Sequence, residues 1–498
     1  MLRKIKSLSF LLSIISGVGI GLAFLFPKFS FLVWFSLVPL FFILQKKTSL
    51  KGFISFFIFG FVYYGLSLYW VTYVSILGFV LLIVYLSLFY LIFYLLGAFF
   101  IKRPLRQLAI PAAWVVVEFL KEIIWCGFSW ANLGYSQFNN LYLIQVADIG
   151  GTKLISFVIV LVNFLIWEII ISYKKKAKKP TILKKLISLL LIFTVLGAYS
   201  FFRFNKNSKL KEKLDITLIQ PNILDKQLMG PEDKNEVLND LLVMAKKAPQ
   251  DNLVIFPEAA WPYLLDKEDT QLISNFTSSS KRDILIGAIT KEGKKYYNSA
   301  LFLNRKGSLI KAYDKIKLVP FGEYVPFRKY LKFIKVLNSI GDITPGSQEK
   351  GFSYQGKDFS VLICFEDLFP DYVAEAAENK DFLVNITDDS WFLGEPEASQ
   401  HLSIMALRAV ENRISIIRSA NSGISGWVSF QGDITKLKKD KKSLFIRGKG
   451  DFKVLINNKR SFYNKRRGWF VLFSFLLLIA VFLKDMLNLR LNEKVDLR

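Results

Sequence analysis

Cysteine and histidine are almost absent from this 498-residue chain, which has two cysteines, Cys126 and Cys364, and one histidine, His401. The two cysteines lie in stretches of different character, so we expect no disulfide framework and at least one free thiol. A single histidine excludes a metal site built from several histidines. Catalysis of the Cys-His or Ser-His type would have to run through His401 alone.

Acidic residues are scarce at both ends of the chain. Residues 1–212 hold 23 Lys and Arg against 5 Asp and Glu, and residues 457–498 hold 9 against 3. The region between them, residues 213–456, holds 34 against 32 and is almost neutral. A nucleic-acid-binding protein concentrates basic residues on its folded domain. Here the basic residues flank apolar segments, which indicates a membrane protein and no nucleic-acid partner.

Long uncharged stretches fill the two basic regions of a chain that is 52% hydrophobic, with a mean hydropathy of +0.35. About 20 apolar residues cross the hydrocarbon core of a bilayer. We predict eight spans, at residues 8–26, 29–44, 52–70, 77–100, 108–124, 154–171, 186–202 and 469–483. Because no secretory cleavage site follows the first and further spans come after it, we expect it to remain as a helix.

Loops between the predicted spans alternate in their content of Lys and Arg, and cytoplasmic loops carry the excess. With the N-terminus inside, four basic loops fall on the cytoplasmic side, including the run from Lys174 to Lys179. Basic residues at 465–467 break the rule, as residues beside a long translocated domain often do. The pattern predicts that residues 213–456 lie on the outer face and that both termini are cytoplasmic.

The nearly neutral region has a different pattern, with short β-rich runs separated in several places by helical stretches. The runs are DITLIQ, NLVIFPE, DILIGAIT, SALFLN, FSVLICFE, DFLVNIT and ISIIRSA, and the clearest helical stretches are residues 235–248 and 398–412. Continuous apolar runs are typical of strands that are buried on both faces. The sequence therefore predicts a layered α/β domain at 213–456, between a membrane domain at 1–212 and a last span with a tail at 457–498.

Three reactive side chains stand at the ends of predicted strands or beside them. Cys364 ends an apolar run, where a strand-to-turn edge presents backbone N–H groups that can bind an oxyanion. Glu258 follows a buried run, and partial desolvation suits it to accept a proton. Lys315 offers a positive charge that would favour a thiolate and stabilise an anionic intermediate. Singly, each could be structural: a core cysteine, a helix or turn cap, and a surface lysine.

Together Glu258, Lys315 and Cys364, in this order and context, resemble the catalytic triad of the nitrilase superfamily. With its spans, the whole chain resembles the bacterial apolipoprotein N-acyltransferases. Further stretches that carry the resemblance are GFSWANLGYSQ from Gly127, YNSALF from Tyr297, LVPFGEYVPFR from Leu318 and RAVENRISIIRSANSGISG from Arg408. The resemblance implies a multi-span α-helical bundle with a nitrilase-like αββα sandwich inserted before the last span.

The resemblance also implies roles for individual residues. Glu258 would be the general base, Lys315 the oxyanion stabiliser and Cys364 the nucleophile, with Glu323 and Glu366 in support. No metal or cofactor is implied. The acyl donor would be a membrane phospholipid, and the acceptor the N-terminal amine of a diacylglyceryl-cysteine lipoprotein. We therefore expect a monomer in the bacterial inner membrane, with its catalytic domain in the periplasm, that performs the last step of lipoprotein maturation through a thioester.

Some positions depart from the family pattern. Phe365 stands where the family often has Tyr, and Leu228 and Met229 stand where it tends to have Lys-Trp. Thr387, Asp388 and Asp389 replace a Ser-Asn-Asp run that precedes a tryptophan, here Trp391. These differences concern substrate contacts more than the type of reaction.

Two further residues and one segment are predicted to lie outside the catalytic chemistry. We expect His401 to be structural, because Glu258 and Lys315 already supply the acid and base groups, and Cys126 to serve packing. Residues 324–345 mix aromatic, aliphatic and basic side chains, including Phe327 and Phe333. This mixture favours an interfacial arm or lid, although a helix packed on the domain would also fit it.

Two other functions remain open from the sequence. A membrane-tethered amidase would use the same triad and pass the acyl group to water, but a hydrolase of small amides needs at most one anchor. A transporter or an inactive scaffold would fit the seven N-terminal spans. However, charged residues within the spans are few, chiefly Glu118, Lys121, Glu122 and Glu168, and an inactive chain would not need the triad.

Overall fold

The computed structural model describes residues 2–46, 48–125, 127–207, 212–224, 229–331, 341–347, 351–392, 394–457 and 459–496. Two compact units make up the chain. The first unit contains residues 1–207 and 465–498, and the second contains residues 208–464.

In the described residues of the N-terminal part of the first unit, all regular secondary structure is helical. Its helices are α1 (Leu2–Leu25), α2 (Val33–Ser36), α3 (Val38–Leu44), α4 (Leu50–Ser67), α5 (Ile76–Phe100), α6 (Arg106–Ile123), α7 (Leu141–Ile144), α8 (Ala147–Lys174) and α9 (Lys179–Asn207). Serine side chains cap the N-termini of two of these helices. The hydroxyl of Ser49 accepts a hydrogen bond from Gly52 N–H at the start of α4, and that of Ser75 accepts one from Gly78 N–H at the start of α5. Such caps satisfy backbone donors that the first helical turn leaves unpaired.

The second unit alternates strands and helices. Its helices are α10 (Pro231–Lys246), α11 (Gln271–Ser280), α12 (Arg328–Leu331), α13 (Pro370–Ala376), α14 (Glu395–Asn412) and α15 (Phe462–Lys465), which ends at the boundary with the first unit. Its strands are β1 (Lys213–Gln220), β2 (Leu253–Ile255), β3 (Leu265–Asp266), β4 (Asp283–Glu292), β5 (Lys295–Leu303), β6 (Leu309–Asp314), β7 (Gly351–Tyr354), β8 (Lys357–Ile363), β9 (Phe382–Thr387), β10 (Ser415–Ala420), β11 (Gly426–Val428), β12 (Ile434–Lys436) and β13 (Gly448–Leu455). The chain then returns to the first unit with α16 (Trp469–Asp496).

Seven helical segments in the described residues are long and apolar enough to cross a membrane. They are Leu8–Leu25, Pro27–Leu44, Leu50–Ser67, Ile76–Phe100, Ala147–Lys174, Lys179–Asn205 and Trp469–Leu487. They match seven of the eight predicted spans. The other predicted span, residues 108–124, lies on α6, which is too polar for that set because it holds Arg106, Glu118, Lys121 and Glu122.

The charges of α6 have partners within the first unit. Glu118 accepts from the indole of Trp114 at 3.0 Å and from the Leu133 N–H at 2.8 Å. The buried ammonium of Lys121 donates to the carbonyl of Trp130 at 2.9 Å. Internal pairing of this kind allows polar side chains to remain inside a helical bundle.

The strands form two mixed sheets. One has the order β13-β1-β2-β4-β5-β6, with β3 beside β4, and the other has the order β12-β11-β10-β9-β8-β7. Strands β1, β2 and β4 are parallel, and so are β8, β9 and β10. Each of the seven β-rich runs predicted from sequence contains a strand, so that prediction is confirmed.

A hydrophobic core fills the space between the two sheets. Ile216, Ile255 and Leu285 from the first sheet belong to the same buried cluster as Val361 and Val384 from the second. A second core packs helices α10 and α11 on the other face of the first sheet, through residues such as Leu241 and Ile273. Helices α13 and α14 contact β8 and β10 of the second sheet. The unit is therefore an αββα sandwich, and the predicted fold class is confirmed.

Candidate active site

The predicted reactive residues lie at strand ends. In the second sheet Ile363 of β8 pairs with Ile386 of β9, and Thr387 of β9 pairs with Ala420 of β10, so the three carboxyl ends lie side by side. Cys364 follows β8 directly, and Glu258 follows β2 by three residues. Because carboxyl ends of parallel strands share one edge, open α/β sheets bind ligands there.

Cys364 has a left-handed backbone conformation, with φ at +52°. Residues other than glycine rarely adopt this region, and strained residues of this kind cluster at functional sites. Its carbonyl accepts from the side-chain amide of Asn385 at 3.2 Å. Its side chain is partly exposed and packs at the margin of the core between the sheets. The sharp turn thus presents the thiol at the end of a buried strand.

The carboxylate of Glu258 is buried and has a partner at each oxygen. Oε1 accepts from the Asn298 amide at 2.7 Å and from the Lys315 ammonium at 3.2 Å, and Oε2 accepts from the Asp388 N–H at 2.8 Å. Burial raises the pKa of Glu258, Lys315 opposes that rise, and the negative charges of Glu323 and Asp388 add to it. A carboxylate with a raised pKa is suited to accept a proton near neutral pH.

The backbone of Glu258 lies directly against β4. A Cβ at Gly287 would come within 2.6 Å of the Cα of Glu258 and of the Pro257 carbonyl oxygen, so only glycine leaves room there. Hydrogen bonds from Gly287 N–H to Pro257 O and from Trp261 N–H to Gly287 O fix this contact. The position of the Glu258 carboxylate is therefore fixed by the packing of the Glu258 backbone against β4 as well as by the hydrogen bonds of its side chain.

Lys315 follows β6 and is 1% exposed. Its ammonium lies between two carboxylates, 3.2 Å from Oε1 of Glu258 and 3.0 Å from Oε1 of Glu323. Burial disfavours the charge, but Glu258 and Glu323 outweigh burial and raise the pKa of Lys315. The site therefore holds a permanent positive charge beside the general-base candidate.

Glu323 connects the loop after β6 to this centre. Its Oε1 accepts from Asn298 and from Lys315, both at 3.0 Å, and its Oε2 accepts from the Val319 N–H at 2.8 Å. The predicted supporting residue is thus in direct contact with the Lys315 ammonium.

The Cys364 thiol interacts electrostatically with both Glu258 and Lys315, so all three members of the predicted triad act on one another. Burial raises the pKa of Cys364 and Glu258 raises it further, while the positive charge of Lys315 lowers it. The raised pKa favours a neutral thiol at rest, next to the side chain of Glu258. This arrangement requires the proton to leave as the sulfur attacks.

Glu366 joins the Cys364 turn to the Lys315 loop without contacting the ammonium. It is fully buried and accepts from the phenol of Tyr313, from the N–H groups of Ile316 and Lys317 at 2.7 and 3.1 Å, and from Ile363 N–H at 2.7 Å. Burial raises the pKa of Glu366 to about 7, against the effect of these donors. Its position indicates that it sets the spacing between the two loops.

His401 lies in a buried ionic cluster behind the nucleophile. Its Nε2 is 2.9 Å from Asp367, and its Nδ1 is 3.0 Å from the guanidinium of Arg418, which also contacts Asp389 at 2.8 Å. Donor atoms of Asp389, Glu397 and His401 lie within 4.8 Å of one another, a spacing that could hold a metal ion. The guanidinium of Arg418 supplies a positive charge to this group.

The residues that differ from the family pattern have different surroundings in the structure. The ring of Phe365 packs against that of Phe369, with centroids 5.3 Å apart, and Trp391 is 57% exposed. Asp388 and Asp389 follow β9 at the active site, where Thr387 donates to Asp389 at 2.9 Å. Leu228 and Cys126 lie outside the described residues.

Asn298 is a site residue that the sequence interpretation missed. It lies on β5, and its amide nitrogen bridges Oε1 of Glu258 and Oε1 of Glu323 at 2.7 and 3.0 Å. The available signal was its place in YNSALF, where a buried amide interrupts a strand and must find a hydrogen-bond partner.

Comparison with known proteins covers most of the chain. Residues 16–165 match the N-terminal domain of apolipoprotein N-acyltransferases, and residues 215–475 match the carbon-nitrogen hydrolase family. The apolipoprotein N-acyltransferase of Geobacter metallireducens is 32% identical over 484 residues, which cover 92% of this chain and 91% of the relative. That of Rickettsia typhi is 29% identical over 464 residues, with coverage of 87% and 89%.

The match to a solved structure covers about half of the chain. An amidase of the nitrilase superfamily from Nesterenkonia is 20% identical, with a TM-score of 0.38, and the match covers 51% of this chain and 94% of the amidase. The sequence matches, which extend over both units, are the informative ones. They show that the chain belongs to the apolipoprotein N-acyltransferase family, whose catalytic part is a carbon-nitrogen hydrolase domain of the nitrilase superfamily.

Proposed function

We propose that this chain transfers an acyl group from a membrane phospholipid to the N-terminal α-amine of a diacylglyceryl-cysteine lipoprotein, through a thioester on Cys364. Its family and its membrane helices make it an acyltransferase of lipid and lipoprotein substrates. The observation that carries the proposal is the placement of one carboxylate and one ammonium, 3.2 Å apart, in electrostatic contact with one thiol.

The first half-reaction loads the enzyme. Glu258 takes the proton of the Cys364 thiol as the sulfur attacks the ester carbonyl of the lipid. The Lys315 ammonium stabilises the negative charge that develops on the carbonyl oxygen. The ester C–O bond then breaks, Glu258 returns its proton to the leaving alkoxide, and a lysophospholipid departs from the thioester.

The second half-reaction transfers the acyl group. The neutral α-amine of the lipoprotein attacks the thioester carbonyl, and Glu258 accepts a proton from the nitrogen. The C–S bond breaks, the sulfur regains a proton from Glu258, and an amide is released. The same carboxylate and ammonium serve both halves, so the kinetics should be of the ping-pong type.

The proposed location follows from the distribution of charge. We assign the catalytic unit to the periplasmic side of the inner membrane and both termini to the cytoplasm, because basic residues concentrate in alternate loops. We further propose that the enzyme acts as a monomer, since all members of the proposed triad come from one chain.

Residues 324–345 would meet the lipid surface as an interfacial arm. In the described part, Phe327 is 64% and Tyr330 is 65% exposed, beside the basic residues Arg328 and Lys329; residues 332–340, including Phe333, lie outside it. Exposed aromatic rings among basic residues are typical of interfacial segments. Replacing Phe327 and Phe333 by Ser should therefore impair the use of vesicle lipid.

The partition of the acyl group between amine and water tests the function. Purified enzyme is incubated with phospholipid vesicles and a diacylglyceryl-cysteine peptide that has a free N-terminus, and both the N-acyl peptide and free fatty acid are quantified. The proposal predicts N-acyl peptide as the main product. Release of fatty acid at the same rate with and without the peptide would identify a hydrolase instead. A peptide acetylated at its N-terminus is the matched control.

A further inference from the structure

The Cys364 turn (Cys364–Leu368) is held at two points by buried side chains that have no role in the proposed acyl transfer. At its start, the side-chain amide of Asn385 donates to the Cys364 carbonyl oxygen at 3.2 Å. Further along, Nε2 of His401 lies 2.9 Å from Oδ1 of Asp367, and the ring is the donor because a carboxylate only accepts. One hold is therefore on the nucleophile itself, and the other is on Asp367.

One guanidinium connects the two holding groups. Arg418 lies on β10 directly opposite Asn385 of β9, and its Nη1 donates to the Asn385 side-chain oxygen at 2.7 Å. Its Nη2 lies 3.0 Å from Nδ1 of His401 and 2.8 Å from Oδ2 of Asp389. Because a guanidinium is planar and stays charged in proteins, it is a rigid cation that orients the amide and the ring together.

Burial makes these contacts hard for water to replace. Asp367, Asn385 and Arg418 are fully buried, and His401 is 2% exposed. The turn also needs such support, because Cys364 has φ at +52° and a residue other than glycine keeps that conformation only where its surroundings hold it. The contacts thus lie where a loss of support would move the sulfur.

Helix α14 fixes the backbone of Asp367 as well as its side chain. Arg408 lies about two helical turns after His401, along the same face, and its Nε donates to the Asp367 carbonyl at 3.1 Å. A change at His401 therefore leaves the turn attached to α14 by its backbone. Only the alignment of the turn depends on the ring.

We propose that His401 and Asn385 are positioning residues for the nucleophile, each holding one part of the Cys364 turn. Arg418 aligns the two. The inference rests on the proposed role of Cys364 as nucleophile, and it gives the one histidine of the chain a function in holding the turn, without transfer of a proton to substrate. Since a shift of the turn would change the distance from the sulfur to Glu258, we expect the effect on the chemical step rather than on substrate binding.

Two polar replacements of His401 separate its two contacts. His401→Gln places an amide where the ring has Nε2 and keeps a donor to Asp367, whereas His401→Asn reaches only the position of Nδ1. With full-length enzyme in detergent, phospholipid and the diacylglyceryl-cysteine peptide, His401→Asn should lower kcat about tenfold and change KM by less than about twofold. His401→Gln should stay within about threefold of the wild-type kcat.

Alkylation of Cys364 by iodoacetamide gives a second readout that needs no lipid. The reaction is followed by peptide mass analysis from about pH 7 to about pH 10, around the pKa of an ordinary cysteine. Burial, and after it the charge of Glu258, raises the pKa of the thiol, and Lys315 lowers it. His401→Asn and Asn385→Ala release the turn and expose the sulfur, so the midpoint of alkylation should move to lower pH.

Asn252→Ala is the matched control for Asn385→Ala. Asn252 is a buried amide that precedes β2, and it donates to the Thr217 hydroxyl at 3.1 Å, at the opposite end of that strand from Glu258. Loss of this bond should lower the midpoint of thermal unfolding without moving kcat or the alkylation midpoint.

The inference would be overturned by equal kcat values in His401→Asn and His401→Gln, or by a wild-type kcat and alkylation midpoint in Asn385→Ala. Each of these two results stands alone, so either residue decides the matter if a variant of the other fails to fold. Failure of the proposed function would look different, because no form of the protein would then acylate the peptide, while the shift of the alkylation midpoint would persist.

Discussion

The ionisation of the Glu258 carboxyl group sets the pH dependence of the proposed reaction. It must be ionised to accept a proton, so kcat/KM should fall as the pH drops through its pKa. Burial raises that pKa, which places the acidic limb of the profile above the range of an ordinary glutamate. Lys315, Glu323, Asp388 and Asn298 are the neighbours that also act on it.

Two substitutions should move this acidic limb in opposite directions. Asp388→Asn removes a negative charge that raises the pKa of Glu258, so the limb should move to lower pH. Asn298→Ala removes a hydrogen bond that favours the ionised carboxylate, so the limb should move to higher pH. Profiles of kcat/KM against pH for both variants give the answer, and shifts in the same direction would refute Glu258 as the titrating base.

We expect Glu366 to contribute by holding the Cys364 turn and the Lys315 loop in position. At pH 8, where the carboxylate is ionised, Glu366→Gln would turn an NH₂ group toward a backbone donor, either Ile363 N–H or the pair at Ile316 and Lys317. An unsatisfied buried donor costs about 1–3 kcal/mol. We expect a lower midpoint of thermal unfolding in detergent together with slower acyl transfer. The exposed Glu375 on α13 provides the control, Glu375→Gln, and an equal effect there would exclude a specific role for Glu366.

At the scale of residues, the sequence alone located the site residues whose reactive side chains stand at the ends of predicted strands. Glu258 and Cys364 each follow an apolar run, Lys315 directly follows β6, and strand ends are where side chains can meet. Asn298 and Arg418 lie within strands, and their importance depends on which strand pairs with which. Arg418 in ISIIRSA nevertheless carried a signal, since a charge inside an apolar strand requires a buried partner.

At the scale of elements, the approach of β4 to Glu258 depends on one glycine. Gly287→Ala would place a methyl group 2.6 Å from the Cα of Glu258, and the backbone of residues 257–259 would have to move. A displacement of about 1 Å at a catalytic group can cost on the order of 100-fold in rate. We therefore expect at least about tenfold slower acyl transfer by Gly287→Ala, measured with the peptide assay.

A second glycine of the same sheet provides the control for that variant. Gly448 begins β13, and a Cβ there would meet no atom within 4 Å. Gly448→Ala should therefore retain activity. If Gly287→Ala were as active as Gly448→Ala, the close packing of β4 against Glu258 would not position the base.

Strands were predictable where both faces are buried, and less so at the edges. The interiors of β8, β9 and β10 are buried and mainly apolar, interrupted by few polar residues such as Asn385 and Arg418. Strand β13 reads GKGDFKVL and escapes such a pattern, because edge strands tolerate charge and glycine. Its antiparallel pairing with β1 joins segments more than 200 residues apart, which local periodicity cannot reveal.

At the scale of the whole molecule, the helical first unit and the αββα second unit follow from the change in hydrophobic pattern near residue 213. The main difference between the predicted spans and the structure is α6, which is too polar to be identified as a span by its hydropathy. Its acidic side chains pair with Lys153 of α8 and with loop groups such as Asn132 inside the unit. A hydropathy criterion therefore underestimates how well α6 suits the interior of a bundle. The orientation across the membrane rests on loop charges and stays a prediction.

The measurement that tests the account most directly is the intact mass of the full-length enzyme after exposure to phospholipid vesicles. Without an amine acceptor, the wild type should gain the mass of one acyl chain on Cys364, and addition of the diacylglyceryl-cysteine peptide should discharge it. Cys364→Ala should gain no mass. The account would be contradicted by an adduct that persists in Cys364→Ala, or by a wild-type enzyme that acylates the peptide without forming any adduct under single-turnover conditions.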